Sequence, residues 1–130
     1  MNEVNRSRFA VKGKAASGRL ALGRLKVGER NKTEAAYEET VLKPGLLSDE
    51  ILWYRFEGVK LRLADNTFYT CDYFVLRADG VLEAHEVKGF WADDARVKIK
   101  VAAELYPFRF IAAVPRKKKD GGGWDIETFE

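Results

Sequence analysis

Residues 68–88, FYTCDYFVLRADGVLEAHEVK, constrain the fold more than any other part of the chain. Two runs rich in aromatic and β-branched residues flank Arg77-Ala78-Asp79-Gly80, a pattern that reads as a β-hairpin. In the second run, Val81, Glu83, His85 and Val87 fall on one side, and Leu82, Ala84, Glu86 and Lys88 on the other. If Ala78-Asp79-Gly80 forms a three-residue loop with Gly80 left-handed, Arg77 faces Val81 and Asp72 faces Glu86. A two-residue loop would instead set Tyr73 against Glu86. In the first register two carboxylates have Cβ atoms ~5 Å apart, which destabilises the pair unless something compensates it.

A divalent cation is the natural compensation, because hard cations take oxygen ligands. Lys88 lies one step along the face that carries Glu86. Its ammonium suits a phosphoryl oxygen or an attacking water. A third carboxylate is available upstream: in NKTEAAYEETVLKPG, Glu34 and Glu38 share a face at i, i+4. Metal, two or three carboxylates and a lysine are a set that hydrolyses phosphodiesters. Simpler roles exist for each residue. Glu34 stands where a capping box from Asn31 would place it, and Glu86–Lys88 could be an exposed ion pair worth under ~1 kcal/mol.

The remaining elements follow from periodicity. Ala35 and Ala36 favour a helix over about 32–42, stopped by Pro44-Gly45. Leu52, Tyr54 and Phe56 alternate, as do Val59, Leu61 and Leu63, and a third run covers about 67–76. DDARVKIKVAAELYP reads as a helix with Val97, Val101, Leu105, Ile99 and Ala102 on its apolar side. FRFIAAV is a short buried strand, RKKKDGGG a basic turn, and WDIETF a last strand. A strand that follows a helical crossover can lie parallel to the strand before it. The fold class expected is therefore α/β, a mixed sheet flanked by helices. At 130 residues the chain reads as a single folded domain over 32–130 behind a basic arm, 1–31.

Charge is unevenly spread. Arg6, Arg8, Lys12, Lys14, Arg19, Arg24, Lys26, Arg30 and Lys32 face only Glu3 and Glu29 in the first 32 residues, so the remainder is net acidic. The arm and the cluster Arg116, Lys117, Lys118 and Lys119 are candidates for gripping nucleic-acid phosphates. The single cysteine, Cys71, excludes a disulfide framework and a cysteine zinc site and fits a reducing, cytoplasmic setting. No apolar run approaches the ~20 residues that span a bilayer, and the first residues lack a secretory h-region. Strand parity turns His85 away from Glu86. Trp53, Tyr54, Trp91 and Trp124 could stack on bases, Trp91 being the best placed for the rim of a site.

Taken together, Asp72, Glu86-Val87-Lys88 and the NKTEAAYE helix resemble the PD-(D/E)xK nuclease signature. More narrowly, the run from 31 to 129 is similar to a family of small phage and prophage proteins with a K-x-E-x-x-Y helix, an aspartate-aromatic strand, an E-x-K-G strand and a lysine-bearing helix. That group resembles phage endonuclease I-type Holliday junction resolvases and, more distantly, the nuclease subunit of heteromeric transposases. The resemblance implies a restriction-endonuclease-like fold and cleavage of DNA, branched DNA included, with Mg²⁺ or Mn²⁺. It implies Glu34, Asp72 and Glu86 as the acidic site, with the Val87 carbonyl as a further metal ligand. Lys88 would be the catalytic lysine, and Lys98 or Lys100 a helper. A resolvase makes two symmetric cuts, so a homodimer in the cytoplasm of a bacterial host would suit it. Cys71 stands where the signature has proline. Two other expectations are compatible with the residues: a DNA-binding or assembly module of the same fold without catalysis, and an RNA or nicking endonuclease.

Overall fold

The computed structural model describes residues 28–91 and 93–130. The chain divides into two compact units, Met1–Asn31 and Lys32–Glu130. Arg6, Arg8, Lys12, Lys14, Arg19, Arg24 and Lys26 of the basic arm lie outside the described residues.

The second unit opens with helix α1, Lys32–Tyr37, which runs without a break into a π-helical turn, Glu38–Leu42, and a short helix α2, Lys43–Leu47. Pro44-Gly45 therefore does not stop the helix. The Lys43 N–H reaches back five residues to the Glu38 carbonyl. Pro44 then falls in the first turn of α2, directly after the wider π turn. Gly45 has a separate reason to be glycine: a Cβ there would lie 2.6 Å from Cδ1 of Ile51.

Seven strands follow: β1 Ile51–Phe56, β2 Lys60–Ala64, β3 Thr67–Thr70, β4 Tyr73–Arg77, β5 Leu82–Val87, β6 Arg109–Pro115 and β7 Trp124–Phe129. Helix α3, Asp93–Leu105, connects β5 to β6. The main sheet has the order β1-β4-β5-β6-β7, and β2-β3 form a separate hairpin. As expected from the helical crossover, β5 and β6 are parallel; the other neighbours are antiparallel. The molecule is a mixed α/β protein.

Two local expectations differ. The run at 67–76 is two strands, because the chain leaves the ladder at Cys71-Asp72 and passes from the small hairpin to the main sheet. In β1 a bulge between Ile51 and Trp53 breaks the alternation, so Ile51 is buried and Leu52 exposed while Tyr54 and Phe56 pack inward.

The sheet separates two cores. On one face, α3 and the β2–β3 hairpin bring Ile99, Ala102, Leu61 and Tyr69 against Ala84, Phe110, Ala112 and Phe129. On the other, α1 and the π turn bring Tyr37 and Leu42 against Tyr73, Val75, Val87 and Ala113. Helix α3 presents Ile99, Ala102 and Ala103 to the core, with Tyr106 just past its end packed there too, while Val97 and Leu105 are largely exposed. The helix is turned toward the small hairpin as well as the sheet, which moves its buried stripe away from the 97/101/105 row. Among the described residues no helix is long and apolar enough to cross a membrane.

Candidate functional site

The β4–β5 register decides between the two possible loops. Tyr73 pairs with His85, Phe74 with Ala84 and Leu76 with Leu82, as the three-residue loop requires. Gly80 has φ 90°, its N–H bonds the Arg77 carbonyl and the Arg77 N–H bonds the Val81 carbonyl, both at 2.9 Å. The Asp79 carboxylate accepts the Val81 N–H at 3.0 Å.

Continued by one residue, this register sets Asp72 against Glu86 in a non-hydrogen-bonded position, where side chains approach most closely. The ladder itself does not continue. The next backbone bond would join Val87 to Cys71, but the Val87 N–H donates to Asp72 Oδ2 at 2.7 Å. The Asp72 carbonyl in turn accepts the Glu57 N–H at 2.7 Å, with Glu57 held at φ 50°. In an extended strand the N–H and C=O of one residue point the same way, so the Val87 carbonyl faces the side on which Asp72 lies.

Glu86 is buried. Its Oε1 accepts the Tyr69 hydroxyl at 2.6 Å and its Oε2 the Lys88 ammonium at 3.0 Å. The carboxyls are pressed into a site that resists a second negative charge. Burial, and then the Glu86 charge, push the Asp72 carboxyl up to about 8, against the Val87 N–H and Lys88, which favour its ionised form. Burial, reinforced by Glu86, also raises the Tyr69 hydroxyl, which therefore stays a donor. Burial alone would lower Lys88, but Glu86, Asp72 and Glu34 together raise it and keep it an ammonium. The Cys71 thiol is fully buried and pushed up to about 12 by burial and then by Glu86, an apolar packing residue.

Glu34 comes from the opposite face of the sheet. Its charge acts on both Asp72 and Lys88, so the helix delivers a third carboxylate to the same region. Three tyrosine hydroxyls hold that helical segment on the sheet. Tyr73 donates to the Glu34 carbonyl at 2.8 Å, Tyr54 donates to Glu38, and Tyr37 meets His85 Nδ1 at 2.8 Å. Glu38, which shares a helical face with Glu34, is thus engaged by Tyr54 and Tyr73. Among the described residues no group of three or more His, Cys, Asp or Glu side chains stands close enough together to hold a metal ion.

His85 lies on the face away from Glu86, as its parity requires. Its Nε2 meets Glu83 Oε1 at 2.8 Å, and Glu83 Oε2 accepts Arg109 at 2.7 Å. This chain runs from the buried Tyr37, His85 and Glu83 to the exposed Arg109, away from the carboxylate pair.

The other candidates occupy distinct places. Arg30 belongs to the first unit, and Lys32 is exposed at the start of α1. Arg116, Lys117, Lys118 and Lys119 are exposed in the β6–β7 connection, with Arg116 Nε 3.3 Å from Asp125. Glu86 pairs with Ala112 and Val87 with Ala113 in the parallel ladder, so this basic connection leaves the sheet at the end where the carboxylates lie. Lys98 and Lys100 are exposed on α3, and the Lys100 charge acts on Glu127 of β7. Trp91 is partly buried against Phe129 at 6.1 Å with the Arg96 guanidinium 5.0 Å over its ring. The exposed aromatic beside the site is Phe90.

Sequence reasoning missed Tyr69, Glu57 and Phe90. Tyr69 and Glu57 reach the site only because the small hairpin folds back onto the sheet, which no local pattern announces. Phe90 directly follows Lys88-Gly89, and that adjacency was the available signal. Comparison with protein-family models, with curated proteins and with solved structures gave no match to the chain.

Proposed function

We propose that the protein is a metal-dependent endonuclease that hydrolyses phosphodiesters in DNA, on duplex or branched substrates. One observation carries this reading: Asp72 and Glu86 are forced together at the end of β4 and β5, with the Lys88 ammonium on one of them. A fold has little reason to press two carboxylates into a site that drives a proton onto one of them, unless a cation replaces that proton. The donors suit a hard divalent ion: carboxylate oxygens and a strand carbonyl, with excess negative charge. Asp72, Glu86, the Val87 carbonyl and Glu34 would hold Mg²⁺ or Mn²⁺. An ion bound there would supply an acidified water and a charge to polarise the phosphate.

The chain's own groups account for the rest. Tyr69 fixes Glu86 from one side and leaves Lys88 to bridge Glu86 and a phosphate oxygen or water. The Val87 N–H orients Asp72. Tyr73 ties the backbone at Glu34 to the sheet and so sets the reach of that carboxylate. Arg116 and Lys117–Lys119, which leave the sheet at the same end as Glu86, would grip flanking phosphates, and a second copy of the chain would supply the second cut of a symmetric branch.

Glu86→Gln is the decisive variant. It keeps an oxygen for Tyr69 and removes the charge. Cleavage of plasmid and four-way DNA in Mg²⁺ should fall by at least ~10²-fold, while binding in EDTA stays within about threefold. Mn²⁺ should raise the melting temperature of the wild type and leave that of the variant unchanged. Undiminished cutting by the variant would overturn the assignment, and tight binding with no cutting by the wild type would leave a DNA-binding module.

A further inference from the structure

Phe90 is 80% exposed, the most exposed aromatic among the described residues. Single exposed apolar residues are ordinary on protein surfaces, so its meaning depends on where it is held. On its N-terminal side, the Lys88 N–H bonds the Ala113 carbonyl at 3.0 Å. The Lys88 ammonium is held on Glu86 at 3.0 Å. On its C-terminal side, Trp91 is packed on Phe129 and beneath Arg96. Gly89 and Phe90 are thus a two-residue projection between two anchored neighbours. A Cβ at Gly89 would meet nothing within 4 Å, so the space around the projection is open.

Cationic side chains stand near this projection, beside the buried carboxylates of the site. Lys88 lies two residues away, within ~7 Å along the chain. Ala113, which Lys88 touches, stands three residues before Arg116 and the lysines that follow it. A bare aromatic ring with ammonium groups at the same end of the sheet is a combination that receives nucleic acid whose bases are unstacked: cations take phosphates, and the ring takes a base face. In a continuous duplex the bases are already stacked on each other and the ring gains nothing.

We infer that Phe90 is a stacking platform for an unpaired base next to the scissile phosphate, so that the protein prefers frayed, forked or single-stranded DNA to continuous duplex. This rests on the nuclease reading for the position of the phosphate. Binding can be measured without cleavage. The full chain in EDTA is titrated against a forked DNA with 2-aminopurine in the single-stranded arm at the branch point, and against the same label within a duplex. Wild-type protein should quench the fork label and not the duplex label. Phe90→Ala should lose the quench and bind the fork ~10-fold more weakly, with duplex affinity within about twofold, and Phe90→Trp should restore both. The ring is exposed, so both variants should melt as the wild type does.

An unchanged quench and fork affinity in Phe90→Ala would overturn the inference, as would equal losses on fork and duplex. Plasmid cleavage in Mg²⁺ is scored in parallel. A Phe90-dependent quench without any cleavage would remove the nuclease and keep the stacking contact. Cleavage with no effect of Phe90 would do the reverse.

Discussion

Glu83 and Glu86 stand three residues apart on β5, both buried, and their surroundings make opposite demands on charge. Glu86 shares its space with Asp72, and the pair repels. Glu83 lies on the other face among positive partners. Burial alone would push the Glu83 carboxyl up, but hydrogen bonds from His85 and Arg109 and the charge of Arg77 outweigh it and hold it below the usual range. A group depressed on folding contributes stability that is present above its unfolded value and is lost as pH falls through its folded one. Glu83→Gln should therefore cost ~2–3 kcal/mol at pH 7. It should also flatten the dependence of stability on pH below ~4.5, where the wild type loses this contribution. Urea unfolding from pH 3 to pH 7 measures both; a variant with the wild-type slope on the acid side would show that Glu83 is not the group responsible. Residue identity alone announced none of this difference. Strand parity separated Glu83 from Glu86, but only the packed helix and the neighbouring strand say which face is cationic.

Among the elements, the helical segment at 32–47 departs most from its sequence pattern. Pro44-Gly45 is a stop signal in isolation, yet a π turn lets the chain pass through it and dock α2 against β1. The contact depends on the missing Cβ of Gly45, whose place is bounded by Cδ1 and Cγ1 of the buried Ile51 at 2.6 and 2.9 Å. In an open helix Gly→Ala would gain up to ~1 kcal/mol. Here overpacking should win, and Gly45→Ala should destabilise the protein by ~1–2 kcal/mol. Gly45→Ala combined with Ile51→Val should recover part of that loss, and thermal unfolding of the two proteins compares them directly. If the single variant is as stable as the wild type, α2 and β1 have room that the structure does not show. The hairpin behaves in the opposite way. One glycine favoured its register, since a left-handed Gly80 admits the three-residue loop, and the observed β4–β5 pairing selects that loop over the two-residue one.

For the molecule as a whole, the parallel pairing of β5 with β6 gathers distant residues at one end of the sheet. Glu86 and Lys88 end β5, Arg116–Lys119 follow β6, and Glu34 arrives on α1. If those cations bind phosphates, Lys117, Lys118 and Lys119 replaced by Ala should weaken binding to every DNA alike and lower the slope of log K against log salt by ~1 for each phosphate no longer neutralised. Gel-shift titrations between low and moderate salt test it. A loss confined to one DNA structure, or an unchanged slope, would remove this loop from the phosphate path. Phe90 should behave differently, changing the preference among substrates and leaving the salt slope alone.

By itself the sequence determined the strands other than the 67–76 run and the crossover helix, and narrowed the hairpin to two registers, one of which aligns Asp72 with Glu86, because each depends on neighbours a few residues apart and on local backbone preference. Tertiary structure alone decided that the run at 67–76 splits at Asp72, that the Asp72 side chain replaces a ladder partner of Val87, that Tyr69 reaches Glu86, and that Phe90 and not Trp91 is bare. Those outcomes depend on which surfaces meet across long stretches of chain. Burial and the electrostatics it amplifies exist only after the surfaces have met.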